Sequence, residues 1–271
     1  MIDLLHYSFL QNALIGAFLT SIICGILGSL IVVNRMVFIA GGIAHSVYGG
    51  VGLASFFGFS ILLGSTLFSV LCAVILAYML LYAKERLDSL IGSLWAFGMA
   101  LGVILVELTP GYNKDFMGYL FGSILSITNS DISYMLIFAL ILLAFVVLHY
   151  RTILGISYDS EFTQLQGINI HFFSILMMIL IALGIVLSMR SVGIILIIAL
   201  LSIPAYCSEL LTNSLSKMMI LSSIISFIAM IFGIYVSYLY DFQAGASVVI
   251  LLSLFSFTLI LFKKIKSLRF I

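Results

Sequence analysis

Ionisable side chains are scarce in this chain, so the few that fall within apolar stretches are the first candidates for chemistry. His45 lies near the middle of one such stretch, GGIAHSVYGGVG. A neutral imidazole suits zinc and other first-row metals as a ligand. An ionisable group inside a membrane span is by default a functional candidate, although a hydrogen-bonded packing histidine is the competing interpretation. We therefore take His45 as a candidate metal ligand.

Two carboxylates stand where apolar stretches end and are candidates for contact with the same cation. Glu107 closes the fourth stretch and Asp241 precedes the ninth. Both fall on the predicted outer side, where acidic residues outnumber basic ones: Asp3, Glu107, Asp115, Asp131 and Asp241 against Lys114 and Arg190. This excess of negative charge would attract cations. An ordinary interfacial position is the alternative for each residue.

The composition requires lipid as the solvent around these residues. Only 8% of the 271 residues are charged and 64% are hydrophobic, whereas a soluble domain averages about 25% charged residues. The net charge of +1 implies no nucleic-acid partner.

Apolar stretches fill the chain, and each is long enough to be a helix that crosses the bilayer, which needs about 20 residues. Because the runs are continuous rather than alternating, they exclude a barrel, the other structure that satisfies its backbone in lipid. We predict spans at 9–33, 36–57, 61–83, 88–107, 131–149, 170–189, 191–210, 218–239 and 245–262. The predicted fold is all-α, a polytopic membrane helix bundle of about nine transmembrane helices in one domain, residues 1–271.

Two segments do not fit as spans. Residues 111–128 are predicted as a loop with a short half-helix. The alternative is that 116–128 crosses the membrane, which would reverse the orientation of the N-terminal half. Residues 155–168 form a polar connection between two spans.

Basic residues predict the orientation, because Lys and Arg favour cytoplasmic loops. An outer N-terminus and a cytoplasmic C-terminus place nine of the eleven inside: Arg35, Lys84, Arg86, Arg151, Lys217, Lys263, Lys264, Lys266 and Arg269.

The sequence contains none of the motifs with which a chain drives transport or catalysis by itself. It has no GxxxxGK[ST] phosphate loop, no HExxH and no paired intramembrane aspartates. We therefore predict that the chain is not an enzyme and that a separate subunit supplies the energy for any uphill movement.

Three regions resemble the membrane permeases of ABC importers for zinc and manganese. The first, NRMVFIAGGIAHSVYGGVGLA over 34–54, carries the histidine in a glycine-rich run. The second is GYLFGSILSITNSDI over 118–132. The third, over 157–249, contains SYDSEFTQLQGI, MRSVGIILIIALLSIPAYCSELLT and SYLYDFQAGASVVI. Together they follow the family's order and spacing, and the family's fold is similar to that of vitamin B12 and siderophore permeases.

The resemblance implies a homodimer in a prokaryotic plasma membrane, with two ATPase subunits and an extracytoplasmic metal-binding protein as partners. It implies transported Zn²⁺ or Mn²⁺ and no permanently bound cofactor. It also implies that residues 157–168 form a cytoplasmic coupling segment, in which Asp159, Glu161 and Gly167 serve contact with the ATPase. A plain connecting loop is the alternative.

One position departs from the family pattern. Better-known members have an Asp four residues before the histidine, where this chain has Gly41. Manganese favours carboxylate oxygen and zinc accepts imidazole readily, so the departure favours zinc. The rival functions are a permease for a chelated metal, such as a siderophore or cobalamin complex, and an intramembrane enzyme or receptor.

Overall fold

The structure is a computed structural model that describes residues 8–82, 86–110, 122 and 127–268. All regular secondary structure in these residues is helical, and nine of their helices are long and apolar enough to cross a membrane. This confirms the predicted all-α membrane bundle. The helices are α1 (Ser8–Val33), α2 (Val37–Phe57), α3 (Ile61–Tyr82), α4 (Leu87–Glu107), α5 (Asn129–Leu148), α6 (Tyr150–Tyr158), α7 (Ser160–Leu165), α8 (Ile170–Val192), α9 (Ile194–Leu211), α10 (Leu215–Tyr240) and α11 (Ala244–Leu268).

Two glycines set helix ends. Gly58 ends α2 with φ 71° and donates its N–H to the Ala54 carbonyl. Gly193, with φ 80°, separates α8 from α9. Such positive φ values are accessible to glycine at little cost. Because the break falls at Gly193, α8 extends to Val192, three residues beyond the predicted end at 189.

Helix α1 lies at the centre of one half of the bundle, against α9, α10 and α5. Small residues bring these backbones together, as expected where lipid provides no hydrophobic drive for helix association. A Cβ atom on Gly28 would lie 2.6 Å from the Leu201 carbonyl oxygen in α9. A Cβ on Gly25 would overlap the Ser223 side chain in α10.

The two ends of the bundle differ in charge, and at each end a hydrogen bond joins two helices. We call one the basic end, because it carries Arg35, Arg86, Arg151, Lys217 and Lys263. There, Asn34 Nδ2 donates to Ser157 Oγ at 3.1 Å, which joins the end of α1 to the end of α6.

The opposite end, which we call the acidic end, carries Glu107, Asp131 and Asp241. At this end, Asn12 Nδ2 of α1 donates to Asn129 Oδ1 of α5 at 3.0 Å.

Most of the predicted loop over 111–128 lies outside the described residues. Gly122 packs so closely against the backbone of Val192 and Gly193 that a Cβ atom would overlap it. The carbonyl of Ile127 accepts a hydrogen bond from Asn12 Nδ2 at 3.2 Å. Both residues therefore lie at the acidic end, where α4 also ends.

Candidate functional site

Helix α2 carries His45 and is enclosed by α3 on one side and α4 on the other. Glycines make both contacts possible. A Cβ on Gly50 would overlap the backbone of Gly64 in α3, and a Cβ on Gly98 of α4 would lie 2.7 Å from Ser46 Cα. Most of the glycine density of α2 therefore serves close helix packing.

The imidazole of His45 is held by an aromatic stack. It lies parallel to the indole of Trp95 in α4, with ring centroids 4.0 Å apart and an interplanar angle of 10°. Trp95 Nε1 donates to Met99 Sδ at 2.9 Å. His45 Nδ1 is buried and has no hydrogen-bond partner among the described residues. The ring is thus oriented without using this nitrogen, which differs from the hydrogen-bonded packing role considered above.

Gly41 lies one helical turn before His45 and faces open space. No atom lies within 4 Å of the position that a Cβ atom would take. Residues four apart in a helix share one face, so the open position adjoins the histidine. A carboxylate at Gly41 would fit there without displacing a neighbour.

The structure separates Glu107 and Asp241 from His45. Glu107 is exposed at the end of α4 and lies 12 residues beyond Trp95, which corresponds to about 18 Å along a helix. Asp241 is exposed and ends α10 with φ 55°. Among the described residues, no group of three or more His, Cys, Asp or Glu side chains could hold a metal ion together. The three candidates therefore do not form one ligand set within the described part of the chain.

An ion pair at the acidic end was not predicted from the sequence. Arg190 Nη1 of α8 lies 2.9 Å from Asp131 Oδ1 of α5. The Thr128 hydroxyl donates to the other oxygen of Asp131 at 2.6 Å and completes a capping box at the start of α5. The threonine-to-acid spacing is a recognisable capping pattern, but nothing in the sequence indicates the distant arginine.

The predicted coupling segment, 157–168, contains the end of α6 and the whole of the short helix α7. Asp159 separates the two helices and caps α7, because its Oδ1 accepts from the Phe162 N–H at 2.9 Å. Glu161 is exposed in the first turn. Gly167 follows the helix with φ 83°, and a Cβ there would meet no atom within 4 Å.

Helix α7 also presents two apolar side chains that the sequence analysis did not single out. Phe162 is 58% exposed and Leu165 is 86% exposed. Both lie close to Glu161 in the chain, at the basic end.

Comparison with known proteins agrees with this architecture. The model of the ABC 3 transport family matches residues 6–263. The chain is 35% identical to a manganese transport system membrane protein of Halalkalibacterium halodurans, over 93% of this chain and 86% of that protein. It is 33% identical to a protein of the same description from Listeria monocytogenes, over 98% and 95% of the two chains.

Solved structures are also similar. One is PsaBC from Streptococcus pneumoniae in complex with Fab, with a TM-score of 0.86 and 32% identity over 95% of this chain and 93% of that one. An inward-facing ABC transporter of metal-chelate type has a TM-score of 0.68 at 17% identity, covering 92% and 83%, and shares the fold. The chain, a membrane permease subunit and not an enzyme, belongs to the ABC 3 transport family.

Proposed function

We propose that the chain is the permease of an ATP-driven importer for divalent transition-metal ions. The single observation that carries this proposal within the family is His45, a stacked imidazole with a buried nitrogen that no described residue engages. This nitrogen can become a metal ligand without the loss of a hydrogen bond within the described part of the chain. ATP hydrolysis takes place in a separate subunit, so this chain contributes the path and its gating.

In this proposal the ion meets Glu107 and Asp241 at the acidic end before it reaches His45. Carboxylates exposed at the entrance raise the local concentration of cations. With one histidine from each chain and no carboxylate beside it, the deep site binds the ion weakly, and weak binding is required of a site from which the ion must leave again.

A second copy of the chain would complete the path. Most of helix α4 is exposed: only Ile91, Gly98 and Gly102 are buried, although its partner α2 is enclosed. Phe97 and Ile104 are exposed on the side of α4 that is turned away from α2, whereas His45 and Gly41 are half-buried on one open face of α2. A homodimer packed on this face would bring two His45 side chains to one pathway, and each permease would bind one ATPase subunit.

We propose zinc as the preferred ion, because the position beside His45 lacks the carboxylate that manganese favours. Manganese is the second candidate, since two relatives are described as manganese transport proteins. Competition between the two ions in one uptake assay distinguishes them.

We also propose that the basic end faces the cytoplasm of a prokaryotic cell and the acidic end faces outward. Basic loops are retained on the cytoplasmic side. The coupling segment 157–168 then meets the ATPase through Glu161 and the surface around it, and Asp159 and Gly167 shape the two ends of α7.

Reconstitution tests the function directly. The permease and its ATPase are placed in proteoliposomes with the metal-binding protein, and ATP-dependent uptake of zinc, manganese and a siderophore-chelated metal is measured. Uptake of a free ion supports the proposal. Uptake of the chelate alone would assign the chain to the rival class, and absence of any uptake by an assembled complex would contradict transport of these metals.

A further inference from the structure

An open polar cavity lies at the basic end, between the end of α1, the end of α6 and the connection from α9 to α10. It has a volume of about 580 Å³. Arg35, Tyr158, Glu209 and Ser214 are among the residues that line it. A space of this size admits several side chains of a partner or a small molecule.

Three of the polar side chains that line the cavity have no partner among the described residues. Arg35 and Glu209 are exposed, and neither side chain forms an ion pair or hydrogen bond with another described residue. The Ser214 hydroxyl is buried at the start of α10 without a hydrogen-bond partner among the described residues. One cation, one anion and one hydroxyl therefore border the same space without being paired inside the chain.

The backbone at Arg35 supports the importance of its side chain. Arg35 has φ 58°, a left-handed conformation that glycine or asparagine adopts more readily in this place after a helix. A residue kept in an unfavourable conformation is a reason to look for a function. Here the conformation places a guanidinium group at the rim of the cavity.

The cavity is continuous with the coupling segment. Ser157 and Tyr158, the first two residues of that segment, form part of its wall. The hydrogen bond from Asn34 to Ser157 fixes this wall to the turn that carries Arg35. A partner that covers Phe162 and Leu165 on α7 would therefore also reach the cavity.

We propose that this cavity is a second docking site for the ATPase subunit, which inserts a polar segment with an acidic side chain opposite Arg35 and a basic side chain opposite Glu209. The inference rests on the proposed function and extends the ATPase contact from α7 to α1 and α9. Two unpaired charges of opposite sign fit a protein segment that carries both complements. The continuity with α7 identifies that protein as the ATPase.

The test measures the affinity of the detergent-purified permease for its ATPase. Arg35→Glu and Glu209→Lys are each expected to raise the Kd by about tenfold or more, because reversal places like charges in contact. Arg151→Glu and Asp88→Lys are matched controls, since both are exposed charges at the basic end outside the cavity. Thermal melting of every variant confirms that the bundle is intact. Equal weakening by the controls, or no weakening by the cavity variants, would overturn the proposal.

A second measurement does not depend on charge reversal. A photo-crosslinking amino acid in place of Tyr158, which is 69% exposed, is expected to label an ATPase peptide that contains an acid and a base. Labelling of lipid alone in the assembled complex would overturn the second site.

Glu161→Arg separates this inference from the proposed function. If it weakens the complex while Arg35→Glu and Glu209→Lys do not, the cavity assignment is wrong and the coupling segment remains. If none of the three variants affects association, the ATPase contact of the whole segment is wrong as well.

Discussion

At the scale of single residues, His45 combines a fixed orientation with an unused nitrogen. Stacking on Trp95 holds the ring without a hydrogen bond to Nδ1. The ring is therefore in place before a metal arrives, which reduces the cost of ordering a ligand at the moment of binding.

His45→Ala is expected to lower metal uptake by about tenfold, as loss of groups at metal sites commonly does, while leaving the assembly with the ATPase intact. His45→Asn retains the size and hydrogen bonding of the side chain but is a poorer metal ligand, so metal uptake by this variant is expected to remain low. The matched control is His171→Ala, which removes an exposed histidine at the basic end. Full uptake by the asparagine variant would make His45 a packing residue.

Gly41→Asp tests the metal preference at the neighbouring turn. The open space at Gly41 accepts the side chain, and a carboxylate beside the imidazole is expected to shift the zinc-to-manganese uptake ratio toward manganese. Gly92→Asp in α4 is the control, because its Cβ position is equally open. An unchanged ratio in a folded Gly41→Asp variant would exclude a shared ion at these two positions.

At the scale of elements, some glycines lie where two helices cross closely and others lie on open helix surfaces. Gly50→Ala is expected to destabilise the bundle by about 1–3 kcal/mol through overpacking, because the new methyl group would overlap the α3 backbone. Gly92→Ala faces no atom and is expected to leave the melting temperature unchanged or slightly raised, since alanine favours helices. Equal melting temperatures in detergent would contradict the close α2–α3 crossing.

The short helix α7 is the element proposed to meet the ATPase. Glu161→Arg is expected to reduce co-purification with the ATPase and to lower uptake, because it reverses a charge on the contact surface. Asp88→Arg reverses an acidic charge at the same end of the bundle, on α4, and is expected to change neither co-purification nor uptake. Normal assembly and transport by Glu161→Arg would remove this role from the segment.

The helices could be predicted from the sequence because lipid imposes one requirement, a continuous apolar run of sufficient length. The predicted ends agree with the structure within two residues at most helices. The exceptions are the break at Gly193, the start of α10 at Leu215 instead of 218, and the end of α11, which continues beyond Phe262 to Leu268. The Asp131–Arg190 ion pair and the His45–Trp95 stack could not be predicted. Both depend on which faces of distant helices meet. A nearly uniform apolar run gives little indication of which face of its helix contacts a neighbouring helix.

At the scale of the whole molecule, the two ends of the bundle make the orientation testable. In a variant with Cys24, Cys72 and Cys207 changed to Ala, Gln243→Cys at the acidic end is expected to react with an impermeant thiol reagent in intact cells. Ser216→Cys at the basic end should react only after lysis. Both positions are exposed. The reverse labelling pattern would invert the proposed orientation.

The stack of His45 on Trp95 also gives the molecule a built-in optical probe. Trp95 is the one tryptophan in the chain, so the tryptophan fluorescence of the permease, excited selectively over tyrosine, arises from the place where the ion is proposed to pass. Paramagnetic Mn²⁺ bound to the adjacent imidazole would quench this emission, whereas closed-shell Zn²⁺ would change it without paramagnetic quenching. Tryptophan fluorescence of the unlabelled chain would thus distinguish bound Mn²⁺ from bound Zn²⁺.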